Sequence, residues 1–321
     1  MFKDVGAAAA AGRIARCACA VVLALGLGGC SLVETLTTPT LDELEEESVE
    51  AVLDGSSLVE EGVLTVAVDT SDAPQAMTDS SGDVVGYDVD VALALAKRLG
   101  LSVKIVDATS ASSSVGEGLA DIYIGSSSSN VGSDFASTDV YLQDATALFT
   151  DSSVTTVASV STTSLESATV AVQEESASQD ALVKAGIAAE QVTYSNVNEC
   201  FEALVAGEVD FVACDATAGA YLARMYADIE FVGTISSTSS FCITMLESNE
   251  ALVEAVCDAF DGIDADGTLD AIHTLWYGSL PTELSGELVA GISITDSDGE
   301  ETTSTDDDSE IVITGDINSI D

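Results

Sequence analysis

The chain has 321 residues, of which 47% are apolar and 20% charged, so it is long and apolar enough to bury a sizeable core. Eight Lys and Arg residues stand against 56 Asp and Glu residues, a formal net charge of −48, which argues against binding to nucleic acids and to anionic lipid surfaces. A single His argues against zinc sites rich in His and against catalytic triads that depend on His.

The N-terminus has the pattern of a secretory signal. Three basic residues precede an apolar run over 20–27, which is shorter than the ~20 residues that span a bilayer. The run ends in Leu-Gly-Gly-Cys at 27–30, which resembles the lipobox of bacterial lipoproteins. This resemblance implies a lipoprotein signal peptide over 1–29, lipidation at Cys30, and anchoring by lipid on the extracytoplasmic face of the bacterial cell membrane. The alternative is an ordinary buried Cys after an apolar helix.

Two acidic stretches flank the rest of the chain. Residues 30–58 contain a cluster of five acids at 42–47 and are predicted to form a charged tether. Residues 282–321 are rich in Ser, Thr, Asp and Glu, and such a composition buries too little apolar surface to offset its ordering entropy. We therefore predict an acidic, mostly disordered tail, in which Ile311–Ile313 is a candidate edge strand.

Four cysteines remain outside the signal, namely Cys200, Cys214, Cys242 and Cys257. An extracytoplasmic compartment permits disulfides, and four cysteines allow three complete pairings, between which the sequence does not choose. Their apolar neighbours favour buried free thiols.

The first half of the central region alternates strand and helix signals. A buried strand is predicted at 64–68, and strands also at 103–106 and 122–124. Between them, Asp88 is predicted to cap a helix whose apolar residues recur on one face and which ends at Gly100.

The pattern restarts in the second half. Strands are predicted at 169–172, 191–194, 209–213 and 229–232, alternating with helices at 177–185, around 197–204 and at 216–226. Gly-Leu-Ala-Asp at 118–121 and Gly-Glu-Val-Asp at 207–210 each precede an apolar strand, so the halves look like copies of one α/β unit. Alternating units of this kind predict mainly parallel sheets, with ligand bound at the carboxyl ends of the strands, in a cleft between two lobes.

Gly-Tyr-Asp-Val-Asp-Val at 86–91, followed by Leu95, Ala96 and Leu99, resembles the signature of the bacterial extracellular solute-binding proteins of family 3. These are the polar amino acid receptors of ABC importers. Weaker matches follow the family's order, at 62–68, 207–215, 266–272 and 276–278, and the resemblance covers about 59–281.

This resemblance implies a two-lobed periplasmic-binding-protein type 2 fold of α/β class, whose mainly parallel sheets are joined by two hinge crossovers near 145–158 and 234–245. Lobe 1 is then expected over 59–148 and 239–281, and lobe 2 with the hinge strands over 149–238. It also implies that the protein is not an enzyme, and that its partners are a small polar solute and the permease and ATPase subunits of an importer. The membrane is contacted through the lipid anchor only.

The ligand positions depart from the family's pattern. The family's carboxylate-clamping Arg is replaced by Ser133, and its Gly-Thr-Thr element by Glu175-Ser176-Ala177. Gln75 stands where a Phe is usual, and Asp72 where a Tyr is common.

Four other matched positions keep the family's polar character. The resemblance implies that Asp215 receives a ligand ammonium, that Asp69 meets a distal cationic group, and that Ser126 and Ser128 hydrogen-bond ligand.

The expected cleft thus carries Asp69, Asp72, Glu175 and Asp215 without a basic partner, which indicates a cationic ligand. Three other interpretations stay open: an amino acid held by Ser hydroxyls and backbone N–H groups, a lost binding function with acids placed by chance, and a surface sensor or adhesion protein on the same fold. The enzyme alternative is a cyclohexadienyl-dehydratase-like protein, which needs cationic anchors for its carboxylated substrate.

Nothing in the sequence indicates a catalytic residue, a cofactor or a metal. Residues 262–273 suggest a calcium loop, but Gly262 takes the first ligand position and His273 the position of the closing Glu. His273 shares a helical face with Leu269 and Trp276, which favours a packed core histidine.

Overall fold

The computed structural model describes residue 53, residues 55–295 and residues 301–303. Its strands are β1 Val63–Val68, β2 Met77–Thr78, β3 Val84–Val85, β4 Ser102–Asp107, β5 Ile122–Ser127, β6 Phe135–Ser137, β7 Leu142–Asp144, β8 Thr146–Asp151, β9 Thr169–Gln173, β10 Glu190–Tyr194, β11 Phe211–Asp215, β12 Ile229–Thr234, β13 Ser239–Leu246, β14 Ser293–Thr295 and β15 Glu301–Thr303. Its helices are α1 Tyr87–Leu99, α2 Thr162–Leu165, α3 Ala177–Lys184, α4 Val197–Val205, α5 Ala216–Ala223, α6 Glu250–Ala265 and α7 Thr268–Tyr277.

The first sheet has a parallel core. β1 lies between β4 and β5 and runs parallel to both. Five of the six residues of β1 are buried, which is typical of a strand covered on both faces. β13 runs antiparallel to β5 and pairs beyond it with β6 and β7. Together with α1, α6 and α7, this sheet forms the part that we call lobe 1.

The second sheet repeats this plan. β9 lies between β10 and β11 and is parallel to both, and β8 then joins β11 to β12 by antiparallel pairing. Helices α2 to α5 belong to this sheet, and together they form lobe 2. Both sheets are thus parallel at the core with antiparallel return strands, which confirms the predicted fold class.

The chain passes between the lobes twice. It leaves β7 and enters β8 at Ala145, and it returns from β12 to β13 through 235–238. The predicted boundary after residue 148 falls inside β8, three residues beyond this crossing. The apolar run at 145–149 continues across the crossing, so no change of composition marks it in the sequence.

Helix α1 begins differently from the prediction. Gly86 occupies the N-cap position, and Asp88 lies in the first turn with its side chain 4% exposed. A Cβ at Gly86 would collide with the Gln75 carbonyl group, so only glycine fits there. The helix ends as predicted at Gly100, which has a φ of 71° in the left-handed region. Asp88 is therefore a buried acid rather than a solvent-exposed cap.

The prediction of a mostly disordered tail is wrong for its first part, residues 282–294, which we call the strap. Leu284, Val289 and Ile292 are at most 4% exposed. Leu284 belongs to the core that includes lobe 1, whereas Val289 and Ile292 belong to a separate core on one face of the lobe 2 sheet. Composition did not predict this, because a few well-spaced apolar residues are enough to order a segment that packs against an already folded surface.

Hydrogen bonds made by the backbone of the strap fix it to the hinge. The Leu284 N–H donates to Gln143 Oε1 at 2.7 Å, next to the first crossover. The Thr234 N–H, next to the second crossover, donates to the Glu287 carbonyl at 2.7 Å, and Thr234 O accepts from Val289 N–H at 2.9 Å. The strap is therefore a third segment that runs along both crossovers.

The predicted tether also ends earlier than expected. Gly55–Ser57 forms a short 3-10 turn, and Ser57 O accepts a hydrogen bond from Asn249 Nδ2 at 2.8 Å. Leu53 and Leu58 pack against the core of lobe 1. The predicted signal peptide, Cys30, the rest of the tether and the candidate strand at 311–313 lie outside the described residues.

The four cysteines Cys200, Cys214, Cys242 and Cys257 are free thiols; the first three are buried and Cys257 is half-buried. Within the described part of the chain, no helix combines the length and apolar character that crossing a bilayer requires.

Candidate functional site

The carboxyl ends of the central strands bring the predicted ligand residues to facing edges of the lobes. Asp69 directly follows β1 and Ser126 lies in β5, both in lobe 1. Ser176 follows β9 and Asp215 ends β11, both in lobe 2. Parallel sheets bind ligands at this edge, because the loops that follow the strands meet there.

Three of the predicted acids lie within electrostatic range of one another, and we call Asp69, Asp72 and Asp215 the cleft carboxylates. Partial burial raises the pKa of Asp72, and repulsion by Asp69 and by Asp215 raises it further. Burial also raises the pKa of Asp215. Both side chains keep contact with solvent, but the surrounding protein withdraws enough water to disfavour their ionised forms.

No cation offsets this group among the described residues. Asp69 Oδ1 accepts hydrogen bonds only from its own loop, from Ser71 N at 3.0 Å and from Ser71 Oγ at 2.6 Å. The two salt bridges of the described chain, Arg98–Asp266 and Lys104–Glu60, involve none of the cleft carboxylates. The cleft therefore has an uncompensated negative potential.

Gln75 joins the lobes instead of forming a wall of the cleft. It follows the cis peptide bond between Ala73 and Pro74 and is 7% exposed. Its Nε2 donates to Thr217 Oγ1 of lobe 2 at 2.9 Å, while its Oε1 is buried without a partner among the described residues. This hydrogen bond holds the two lobes in contact.

Ser126 lines a small polar pocket of about 290 Å³ in lobe 1, whose lining includes none of the cleft carboxylates. Its hydroxyl lies 2.7 Å from Thr244 Oγ1, and the pocket is further lined by Tyr123 and Phe135. Ser128 begins a short 3-10 turn, is exposed, and is not part of the lining.

Tyr123 connects the pocket to the acids, and sequence reasoning missed it. Burial raises its pKa to about 12, with further contributions from the carboxylates of Asp69, Asp88 and Asp72. The sequence shows only an aromatic residue within a short apolar strand, which has the same pattern as a core position.

Glu175 and Ser176 form the turn that starts α3. Ser176 Oγ accepts from Gln179 N–H at 3.2 Å and donates to Gln173 O at 2.7 Å, so its hydroxyl is used as an N-cap. Glu175 is exposed and has a φ of 57°, in the left-handed region. It is not among the groups that shift the pKa of Asp72 or of Asp215.

Two acids next to the cleft, the buried Asp88 and the half-buried Asp144, were not predicted as site residues. Burial raises the pKa of Asp88 to about 7; the hydrogen bond that Tyr141 Oη donates at 2.9 Å opposes this shift, and Asp72 adds to it. Burial likewise raises the pKa of Asp144 to about 7, and Asp215 adds to that shift. Asp88 is thus coupled to Asp72 within lobe 1, whereas Asp144 of lobe 1 is coupled to Asp215 of lobe 2.

Asp144 also connects the hinge to the hydrogen bond between Gln75 and Thr217 that joins the lobes. It lies in β7, directly before the crossover at Ala145, whose N–H donates to its Oδ1 at 2.8 Å. Thr217 Oγ1 donates to Asp144 Oδ2 at 2.8 Å and accepts from Gln75. No pattern in the sequence distinguishes Asp144 from the many other acids of the chain.

Among the described residues, no group of three or more His, Cys, Asp and Glu side chains is arranged to hold a metal ion. His273 is 5% exposed and packs edge-on against the rings of Tyr87 and Tyr277. It belongs to the core of lobe 1.

Comparison with known proteins identifies the architecture. Residues 64–279 match the family model of the bacterial extracellular solute-binding proteins, family 3. A comparison with curated protein sequences gave no match.

Solved structures with the same fold match this chain over most of their own length. A polar amino acid ABC uptake transporter substrate-binding protein from Streptococcus thermophilus has a TM-score of 0.62 at 18% identity, over 71% of this chain and 90% of that one. An ancestral cationic amino acid solute-binding protein has a TM-score of 0.57 at 24% identity, over 67% and 96%. The L-cystine solute receptor of Neisseria gonorrhoeae has a TM-score of 0.55 at 20% identity, over 70% and 94%.

Proposed function

Because the chain belongs to the bacterial extracellular solute-binding proteins of family 3, we propose that it is the substrate-binding protein of an ABC importer and captures a small cationic polar solute between its lobes. The ligand class is an amine or an amino acid with a basic side chain. The observation that carries this choice is that Asp72 lies within electrostatic range of Asp69 of its own lobe and of Asp215 of the other, and takes part in neither salt bridge of the described residues.

Charge explains why a cation fits. When the lobes meet, carboxylates from both sides are brought together and partly desolvated, which destabilises their ionised forms. A cation placed between Asp72 and Asp215 removes this cost and adds charge-assisted hydrogen bonds of about 1.5–3 kcal/mol each. Ligand binding and lobe closure then favour one another.

The remaining surface suits the uncharged part of the ligand. The pocket beside Ser126 offers hydroxyl groups together with the rings of Tyr123 and Phe135. Hydroxyl and aromatic groups orient a polar solute without discriminating strongly by charge. No Arg or Lys lies in this lining, so the site has no group that would clamp a carboxylate.

Anchoring and partners form the second part of the proposal. Cleavage before Cys30 and its acylation would tether the protein to the extracytoplasmic face of the membrane, and a permease with its ATPase would receive the ligand. Mass spectrometry of the membrane fraction is expected to find a diacylglyceryl-modified N-terminus at Cys30, and Cys30→Ala is expected to release the protein. An unmodified N-terminus at Ser31 would contradict the anchor without affecting the proposed ligand class.

Isothermal titration with putrescine, spermidine, lysine and arginine tests the ligand class, with glutamate as the anionic comparison. For the cation that binds, Asp215→Asn is expected to weaken binding about tenfold or more, since one decade corresponds to about 1.4 kcal/mol. Added salt is expected to slow association with the wild type, because the acidic surface attracts a cation over a distance.

Glu175→Gln is the matched control, since it removes the same charge from the mouth of lobe 2 outside the cleft carboxylates. It is expected to change the affinity by less than about twofold. Tight binding of glutamate, or equal effects of the two substitutions, would contradict the cationic ligand and leave the family assignment standing.

A further inference from the structure

A second cavity lies at the hinge, away from the cleft carboxylates. Its volume is about 530 Å³, and four parts of the molecule line it: the start of β8, the second crossover, helix α3 with its C-cap, and the end of the strap. Its apolar walls are formed by Ala181 and Ala185 of α3, Ile235 of the crossover and Ile294 of the strap. None of the cleft carboxylates lines it, so the proposed ligand site does not account for this cavity.

One basic residue stands at this cavity. Lys184, the last residue of α3, contributes to the lining and is exposed. The salt bridges of the described chain are made by Arg98 and Lys104, and Lys184 takes part in neither. A basic group that has no salt-bridge partner among the described residues and lies next to an apolar groove is suited to bind an acidic segment that also carries apolar residues.

The course of the backbone brings such a segment to the cavity. β15 runs antiparallel to β14, and Thr303 pairs with Ser293, which itself lines the cavity. The chain beyond Thr303 therefore starts at the edge of the cavity. It continues with three consecutive acids at Asp306–Asp308 and then with the apolar triplet Ile311–Ile313.

The distances permit contact within the same chain. An extended chain advances about 3.3 Å per residue, so Asp306–Asp308 lies within roughly 10–17 Å of the end of β15 and Ile311–Ile313 within roughly 26–33 Å. An eight-residue helix such as α3 is about 12 Å long, so both segments can reach the whole cavity. The short connection also gives the segment a high effective concentration at the cavity.

We propose that residues 304–313 dock in this cavity, with the side chains of Ile311–Ile313 against its apolar walls and the acids of Asp306–Asp308 beside the Lys184 ammonium. The strap and this segment together then form a C-terminal extension of the family domain that covers the hinge side of lobe 2. This inference does not depend on the identity of the transported solute.

Cross-linking of the purified protein, residues 31–321, tests the proposal. A zero-length carbodiimide joins a Lys amine to a carboxylate only where the two are in contact, and peptide mass spectrometry then identifies the linked pair. The expected product links Lys184 to one of Asp306–Asp308. Lys97 of α1 is the internal control, because it is also exposed and takes part in neither salt bridge. Its links to the tail are expected to be less abundant by about fivefold or more.

Two serine variants separate docking from random collision. Replacing Ile311, Val312 and Ile313 together by Ser is expected to lower the Lys184 link by about fivefold or more, because the apolar contacts hold the acids in place. The matched control replaces Ile317 and Ile320 by Ser, and it is expected to leave the link unchanged.

Mixing isotope-labelled with unlabelled protein shows whether the link forms within one chain. Links between labelled and unlabelled chains would assign the cavity to a second copy and overturn the proposal. The proposal would equally be overturned if Lys184 and Lys97 linked to the tail alike, if no link to Asp306–Asp308 formed, or if the triple Ser variant linked as the parent does.

Discussion

The two lobes carry the same turn before a central strand but place it in different surroundings. In lobe 1 the turn runs from Gly118 to Asp121, and in lobe 2 from Gly207 to Asp210. Both glycines have a φ of 70°, in the left-handed region that glycine adopts most easily. In both turns the aspartate reaches across to the neighbouring central strand and accepts hydrogen bonds from its backbone.

The environments of these two aspartates differ. Asp121 is 4% exposed and accepts from Thr65 N–H and from Val59 N–H, both at 2.7 Å. Asp210 is exposed, and its Oδ2 accepts from both the N–H and the Oγ1 of Thr169 at 2.8 Å. The segment around Val59 covers the turn of lobe 1, whereas the turn of lobe 2 stays open to solvent. The turn thus has the same local geometry in both lobes. The segments outside the repeat determine how buried its aspartate is, and therefore how much the turn contributes to the free energy of unfolding.

The largest expected effect on the free energy of unfolding concerns the strap, which covers part of lobe 2. Deleting residues 286–321 leaves Leu284 in place and removes Val289 and Ile292 from the separate core of lobe 2. We expect the free energy of unfolding to fall by about 3–6 kcal/mol, at about 1.5–3 kcal/mol for each buried side chain. Hydrogen exchange should show loss of protection in α3 and β9 before any loss in β1.

Deletion of residues 304–321 alone is the control for this prediction, since it leaves the strap in place. It is expected to preserve the protection of β9, none of whose residues lines the cavity at α3. If the variant with the longer deletion lost amide protection equally in both lobes, the assignment of the strap to lobe 2 would be contradicted.

The second effect compares the two aspartates directly. Asp121→Ala is expected to lower the free energy of unfolding by about 2–4 kcal/mol, because it leaves the buried N–H of Thr65 and the half-buried N–H of Val59 without acceptors. Asp210→Ala is expected to cost about 1 kcal/mol or less, since water can replace the exposed carboxylate. Urea unfolding of the two variants measures both values, and equal costs would show that burial does not separate the turns.

These aspartates also show how far the sequence predicts the fold. The repeated Gly-x-x-Asp turns and the alternating apolar runs correctly predicted two α/β units, because both depend on residues that are close in the chain. The buried state of Asp88 was missed, since capping residues and buried acids at a helix start have the same local pattern. Its environment depends on Tyr141, which is 53 residues away.

The candidate site was predicted only in part for the same reason. The structure brings Asp69, Asp72 and Asp215 into electrostatic range, and the resemblance to the family had indicated these positions. Gln75 donates a hydrogen bond to Thr217, which is 142 positions away in the other lobe, and a local sequence pattern cannot predict a contact over that separation. Asp144 is one of 56 acids in the chain, and only the hinge geometry sets it apart.

The pH dependence of stability tests the contact between the lobes at Asp144. Its folded pKa of about 7, raised mainly by burial, lies above the ordinary value of 3.8. The folded state therefore binds the proton more tightly, and this contribution is fully present below pH 3.8 and is lost as the pH rises through about 7. We expect Asp144 alone to contribute about 2–3 kcal/mol to the fall in the free energy of unfolding between pH 5 and pH 8, measured by urea unfolding as the difference between the wild type and Asp144→Asn.

Asp144→Asn isolates this group, since Asp88 shifts in the same direction and is present in both proteins. The variant should lose part of the decrease between pH 5 and pH 8 and gain stability relative to the wild type at pH 8. Parallel pH profiles of the two proteins would show that Asp144 is ionised in the folded state throughout this range.

The smallest effect concerns the hydrogen bond between Gln75 and Thr217, which joins the lobes without ligand. Gln75→Ala removes a bond of about 0.5–1.5 kcal/mol but also removes a buried Oε1 that has no partner among the described residues, so the two changes partly offset. We expect the open form to gain about fivefold in population and small-angle scattering to show a larger radius of gyration without ligand. Saturating ligand should restore the compact form, because the cleft carboxylates are intact in this variant.

Thr217→Val breaks the same hydrogen bond and also the one to Asp144. It should therefore open the lobes at least as far, and the double variant should add little to this effect. A radius that stays unchanged in all three variants would show that the strap and the crossovers, rather than this bond, hold the lobes together.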